Sequence, residues 1–169
     1  MSLILEGFMG SGKSAVGERL ASKLGIPFID TDREIEERQG CSVAEIFSSS
    51  GEEAFRQMET SMLYGLYLSE GNAVISLGGG MPVRAANAEI IKKLGKVVYL
   101  KAEPEVLISR LEKEAEGRPM LDGYDLGRRV SSLLEERGKY YLDLADIIID
   151  VSWDDIDRIC ERILEESGL

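Results

Sequence analysis

The chain has 169 residues, the length of one domain, and its 44% hydrophobic content against 30% charged is enough to bury a core and too apolar for a disordered chain. Acidic residues number 31 and basic residues 20, for a net charge of −11, a field that repels phosphodiester backbones and anionic lipid and so excludes nucleic acid and membrane as partners. Histidine is absent, which removes Ser-His-Asp triads, His-ligated zinc and a histidine general base.

The first apolar run, Leu3-Ile4-Leu5, leads into Gly7-Phe8-Met9-Gly10-Ser11-Gly12-Lys13-Ser14, which fits G-x-x-x-x-G-K-[S/T]. A segment with Val16, Leu20 and Leu24 on one helical face follows, the context this motif requires. Glycines let successive N–H groups turn inward on a phosphate, and the helix start adds its positive end. Lys13 would reach the β- and γ-phosphates of a nucleoside triphosphate, and the Ser14 hydroxyl would bind Mg²⁺. The six residues before the motif are too short for a signal-peptide core, and no apolar run approaches the roughly 18 residues of a membrane span. Cys41 and Cys160 stand far apart without metal-ligand neighbours and read as reduced thiols. These features predict a cytoplasmic protein.

The second run, Pro27-Phe28-Ile29, ends at Asp30-Thr31-Asp32. Ligands of parallel α/β sheets bind beyond the carboxyl ends of strands, so these carboxylates should face the phosphate cradle. Two apart at a strand end they point the same way, one toward a metal and one toward an acceptor hydroxyl. The alternative is that Asp30 and Thr31 only cap the next helix. Ser42-Val43-Ala44-Glu45 reads as a capping box. Arg56 lies in Phe55-Arg56-Gln57-Met58-Glu59, where Glu59 is placed to hold the guanidinium.

The third run, Ala73-Val74-Ile75-Ser76-Leu77, is followed by Gly78-Gly79-Gly80, which permit φ > 0 and close approach to a ligand. Many P-loop proteins carry a metal-binding Asp on this strand; Ser76-Leu77-Gly78 offers none, which leaves Asp30 as the natural metal carboxylate. Val97-Val98-Tyr99-Leu100 forms the fourth run, with Arg110 after Leu107-Ile108-Ser109. A charged stretch over 112–125 holds Glu112, Glu114, Glu116 and then Gly117-Arg118-Pro119-Met120-Leu121-Asp122-Gly123, read as a hinged lid or else an ordinary surface connection. Arg137 follows Glu135-Glu136. Together Arg56, Arg118 and Arg137 could hold an anionic acceptor against the overall field. After the fifth run, Ile147-Ile148-Ile149, Ser152-Trp153-Asp154-Asp155 reads as a second capping box. Ile156, Ile159, Cys160, Ile163 and Leu164 then line one helical stripe. All five runs are near-continuously apolar, as for strands covered on both faces, and their alternation with helices implies a parallel sheet.

The arrangement resembles the shikimate kinase family. The resemblance spans the chain through Gly-Phe-Met-Gly-Ser-Gly-Lys-Ser, Asp-Thr-Asp, Phe-Arg-x-x-Glu, Gly-Gly-Gly, Arg-Pro-Met-Leu and Glu-Arg-x-x-x-Tyr, in that order. It implies an α/β fold over 1–169, a P-loop three-layer α/β/α sandwich with a parallel sheet of five strands and a mobile lid. The implied reaction moves the γ-phosphoryl of ATP to the 3-hydroxyl of shikimate, with Mg²⁺, in aromatic amino acid biosynthesis. The resemblance places ATP on Gly10, Ser11, Gly12, Lys13, Ser14 and Ala15, with Arg110 at the adenine and Arg118 at the transferring phosphate. It places Mg²⁺ on Ser14 and Asp30. Shikimate falls to Asp32, Arg56, Gly78, Gly79, Gly80 and Arg137, with Lys13, Asp32 and Arg118 in the catalytic roles. Tyr141-Leu142-Asp143-Leu144-Ala145 departs from the family's Tyr-x-Glu-x-Ala but keeps the charge. A kinase for gluconate or a nucleoside monophosphate is the nearest competing reading, and a nucleotide sensor without turnover is one of another class. No heptad or long apolar patch argues for an interface, so a monomer is expected.

Overall fold

The computed structural model describes residues 2–69, 71–114 and 125–169. Five strands, β1 (Ser2–Glu6), β2 (Phe28–Asp30), β3 (Val74–Ser76), β4 (Gly95–Lys101) and β5 (Ile147–Asp150), form one sheet in the order β2-β3-β1-β4-β5. Every pairing is parallel. The helices are α1 (Lys13–Leu24), α2 (Thr31–Gln39), α3 (Val43–Leu68), α4 (Ala85–Leu94), α5 (Pro104–Lys113), α6 (Leu126–Leu144) and α7 (Ile156–Ser167), with a 3₁₀ turn at Met81–Val83. The helical path of α3 is broken at Gly51.

Strand alternation sends successive side chains to opposite faces. Leu3 and Leu5 of β1 pack with Val16 and Leu20 of α1 and Ile159 and Ile163 of α7. Ile4 faces the other way, onto Leu63 of α3, Ile91 of α4 and Leu144 of α6. The result is a sheet between two helical layers, as the sequence predicts. Phe8, Tyr99, Leu107, Leu133 and Tyr141 close a further cluster under α5 and α6. The chain leaves β1 for β2 and leaves the neighbouring β3 for β4, in opposite directions across the sheet, and the crevice at the carboxyl end of β1 holds the 7–14 loop.

Burial on both faces holds for β1, β3 and β4 but not at the sheet edges. In β5, Ile147 and Ile149 are buried while Ile148 is 45% exposed, because β5 pairs only with β4. The first capping box forms as read, Ser42 and Glu45 each accepting the other's backbone N–H. The second does not: α7 begins after Asp155, which caps the N–H of Arg158, while Ser152 Oγ accepts from the N–H of Glu103 at 2.9 Å. Ile156, at the head of the predicted stripe, is accordingly exposed. Of the predicted lid, Glu112 belongs to α5, Glu114 ends that helix and Asp125 caps α6; Glu116, Arg118 and the rest of 115–124 lie outside the described residues.

Helix α1 sits so close to β2 that a Cβ on Gly17 would enter the Phe28 ring, 3.0 Å from Cδ2 and 3.1 Å from Cζ, with Cε2 nearer still. Gly17→Ala should therefore lower stability by about 1–3 kcal/mol despite better helix propensity, a Tm drop of roughly 2–10 °C by thermal unfolding. An unchanged or higher Tm would show that Phe28 can move aside at little cost.

Candidate active site

The site is built at the carboxyl ends of β1, β2 and β3. Gly12, at φ 89° and ψ 17°, starts α1 in the left-handed region, which favours glycine, and no side chain caps the helix. The first-turn N–H groups of α1 are thus left for an anion. Lys13 folds over the loop, its Nζ donating to the carbonyls of Gly7 at 2.9 Å and Phe8 at 3.1 Å. Arg110 of α5 braces the other side, donating to the carbonyls of Gly10 and Val151. Gly10, Ser11, Gly12, Lys13, Ser14 and Ala15 line a cleft of about 520 Å³. The same cleft takes in Asp30, Asp32, Gly79 and Arg110.

Asp30 both caps and faces the cleft. Its Oδ1 accepts from the N–H groups of Asp32 and Arg33, while Oδ2 accepts from Ser14 Oγ at 2.6 Å. Asp32 reaches the cleft from the first turn of α2, so the two carboxylates are set by a strand–helix junction and not by alternation along a strand. Thr31 between them is buried and does not cap α2, as the alternative reading had it. Its Oγ1 donates to the Ser76 carbonyl and accepts from the N–H of Gly78 at 2.9 Å, pinning the glycine turn to β2.

The turn over 78–80 does not use positive φ; Gly78 and Gly80 are needed for space, while a Cβ on Gly79 would meet only ordinary contacts. A Cβ on Gly78 would lie 2.5 Å from Asp32 Oδ1 and 2.8 Å from Glu59 Oε1. On Gly79 it would lie 3.6 Å from the Tyr141 hydroxyl and 3.8 Å from an Arg137 nitrogen. On Gly80 it would overlap the Arg56 guanidinium, 2.5 Å from Cζ. Arg56, Gly80 and Arg137 line a second cleft of about 380 Å³ beside the turn. Arg56 donates to Glu59 Oε2 at 2.7 Å and to Glu52 at 3.2 Å, so the i, i+3 partner foreseen in the sequence is joined by a second acid. Arg137 is buried beside Tyr141, whose hydroxyl donates to the Gly79 carbonyl at 2.5 Å.

The electrostatics are those of an enclosed acid pair among cations. Burial, and then the charge of Asp30, pushes Asp32 up to about 6 against the pull of Lys13 and Arg56. Burial likewise holds Glu59 at about 7 despite Arg56. Asp32 Oδ1 and Glu59 Oε1 are enclosed with no hydrogen-bond partner among the described residues, and both abut Gly78. A ligand with hydroxyl donors would satisfy them, and a ligand carboxylate would meet Arg56 and Arg137. Ser14 and Asp30 are hard oxygen donors suited to Mg²⁺, an ion that keeps phosphate and water ligands; among the described residues no group of three or more acidic, Cys or His residues forms a protein cage. Glu59 was read from the sequence only as the partner of Arg56; its second oxygen against Gly78, and the roles of Tyr141 and Thr31 in shaping the site, were not. Arg118 lies outside the described residues.

A model of the shikimate kinase family matches residues 9–167. A shikimate kinase of Caldanaerobacter subterraneus subsp. tengcongensis is 40% identical over 96% of this chain and 94% of its own. One from Dictyoglomus turgidum is 41% identical over 97% and 95%. The solved shikimate kinase from Acinetobacter baumannii, in complex with shikimate, superposes with a TM-score of 0.92 at 34% identity, over 97% of this chain and 90% of that one. A gluconokinase from Sinorhizobium meliloti, at 20% identity and a TM-score of 0.67, covering 99% and 91%, shares the fold.

Proposed function

The chain belongs to the shikimate kinase family, and from that premise we propose that it transfers the γ-phosphoryl group of ATP to the 3-hydroxyl of shikimate, giving shikimate 3-phosphate and ADP. The product feeds aromatic amino acid biosynthesis. The observation that carries the acceptor side is the pair of enclosed, unpartnered oxygens of Asp32 and Glu59 at Gly78, flanked by Arg56 and Arg137. A polyhydroxy carboxylic acid supplies the hydroxyl donors and the carboxylate this pattern requires. A nucleoside monophosphate has no such carboxylate.

The P-loop amides and Lys13 hold the triphosphate tail and stabilise charge on the transferring group. Ser14 and Asp30 would hold Mg²⁺, which would neutralise phosphate charge. Arg110, which lines the same cleft, serves the adenine end. Arg56 and Arg137 fix the acceptor carboxylate, the glycines over 78–80 let the acceptor ring lie against backbone, and Asp32 orients the attacking hydroxyl and accepts its proton. The family resemblance would bring Arg118, which lies outside the described residues, to the transferring phosphate. The protein acts as a cytoplasmic monomer.

The test is ADP release with Mg²⁺ and ATP, screening shikimate, quinate, gluconate and nucleoside monophosphates. Release with shikimate far above the others is expected. ADP formed with gluconate or AMP and none with shikimate would overturn the assignment, and tight ATP binding without turnover on any acceptor would mark a sensor.

A further inference from the structure

Strand β1 reads Ser2-Leu3-Ile4-Leu5-Glu6, wholly buried, and its last residue is an acid. By alternation Glu6 falls on the face of Ile4, the side covered by α6. Its register partner is Tyr99 of β4, which lies against Tyr141 of α6 with ring centroids 5.2 Å apart. Among the described residues neither Oε1 nor Oε2 of Glu6 has a hydrogen-bond partner, and the residue is buried. The charged and titratable groups facing it are Lys13 from α1, Tyr99 from β4, Tyr141 from α6 with Arg137 behind it, and Asp146 ahead of β5. Asp146 spends Oδ2 on the N–H of Val97.

Enclosure without a partner penalises the charged form of a carboxyl. Burial accordingly holds Glu6 at about 8, with Lys13 pulling it down and Asp146 pushing it up. Glu6 is bonded directly to Gly7, whose carbonyl accepts from Lys13 Nζ. A charge that appears on Glu6 therefore appears beneath the loop, behind the lysine that faces the phosphates.

We propose that Glu6 is a positioning residue for Lys13: neutral, it leaves the lysine's charge to the nucleotide phosphates, and ionised, it competes for that charge from under the loop and weakens nucleotide binding. The inference rests on nucleotide binding at the P-loop, as proposed above. Phosphate anions favour the neutral acid, so binding takes up a proton from solvent when Glu6 is partly ionised. Affinity is full below about pH 8 and falls as pH rises through it.

The experiment is calorimetric binding of ADP with Mg²⁺, from about pH 6.5 to about pH 9.5, to the wild type and Glu6→Gln. The wild-type Kd should rise roughly fivefold across the alkaline half, and the Glu6→Gln profile should lack that rise. Near pH 8 the wild type should also show buffer-dependent enthalpy, the signature of proton uptake, which needs no variant and decides the matter if Glu6→Gln fails to fold. Superimposable pH profiles, or a wild-type enthalpy independent of buffer, would overturn the inference and leave the kinase assignment standing. No ADP binding at any pH would overturn both.

Discussion

Lys13→Ala is expected to lower kcat by roughly 10²–10³-fold while the KM for shikimate moves within a few fold. The lysine opens α1 and lines the cleft, putting a full positive charge beside the helix N-terminus, where a triphosphate carries several negative ones. Its charge matters most as the γ-phosphoryl group separates, so the loss falls on kcat and not on acceptor binding. The folded state should barely register the change. Lys13 is only half-buried, the carbonyls of Gly7 and Phe8 that it now serves can turn to water, and alanine is a good helix former. Steady-state kinetics beside a melting curve separates the two effects. A variant with normal kcat would place the phosphoryl chemistry elsewhere. Arg118→Ala should give a loss of the same size if that guanidinium meets the transferring group.

Arg56→Ala should raise the KM for shikimate roughly 10–100-fold and leave the KM for ATP within about twofold, because it removes a charge-assisted contact worth about 1.5–3 kcal/mol. If ATP binding weakened and shikimate binding did not, the acceptor site would be wrongly assigned. The substitution also strips Glu59 of the partner 2.7 Å away, with the Glu59 side chain 1% exposed. Glu59 is already held at about 7 by burial against the pull of Arg56, and losing that pull raises it further. A carboxyl whose folded pKa is raised contributes stability at low pH that is lost as pH rises through the folded value. The variant's Tm should therefore fall more steeply than the wild type's between about pH 5 and about pH 8. Parallel Tm profiles would mean that water or another cation replaces the guanidinium.

The P-loop was legible because its determinants are consecutive: glycines, a lysine and a hydroxyl between an apolar strand and an amphipathic helix. The capping box at Ser42 was legible for the same reason, its partners lying three residues apart. The similar pattern at Ser152, with Asp in place of Glu, failed because the N–H of Glu103, arriving from the end of another strand, takes the serine hydroxyl, and α7 waits for Asp155. Continuous apolarity could not separate an edge strand from a central one, so Ile148 was misplaced. The glycine turn announced close packing but not its occupants. Those are side chains of α2 and α3, with the α6 residues alongside, aimed at one short stretch of backbone.

By itself the sequence determined the order of strands and helices, the phosphate cradle and the inventory of carboxylates and guanidiniums, since each is written in spacings of a few residues that local backbone geometry enforces. Only the tertiary structure decided that Asp32 and Glu59 meet across Gly78, that Asp30 is shared between a helix cap and Ser14, and that Glu6 is walled in beside Tyr99 and Tyr141 without a partner. Those outcomes depend on which elements pack together and how much water they exclude, and burial sets the charge state of an acid more strongly than any neighbour in the chain does.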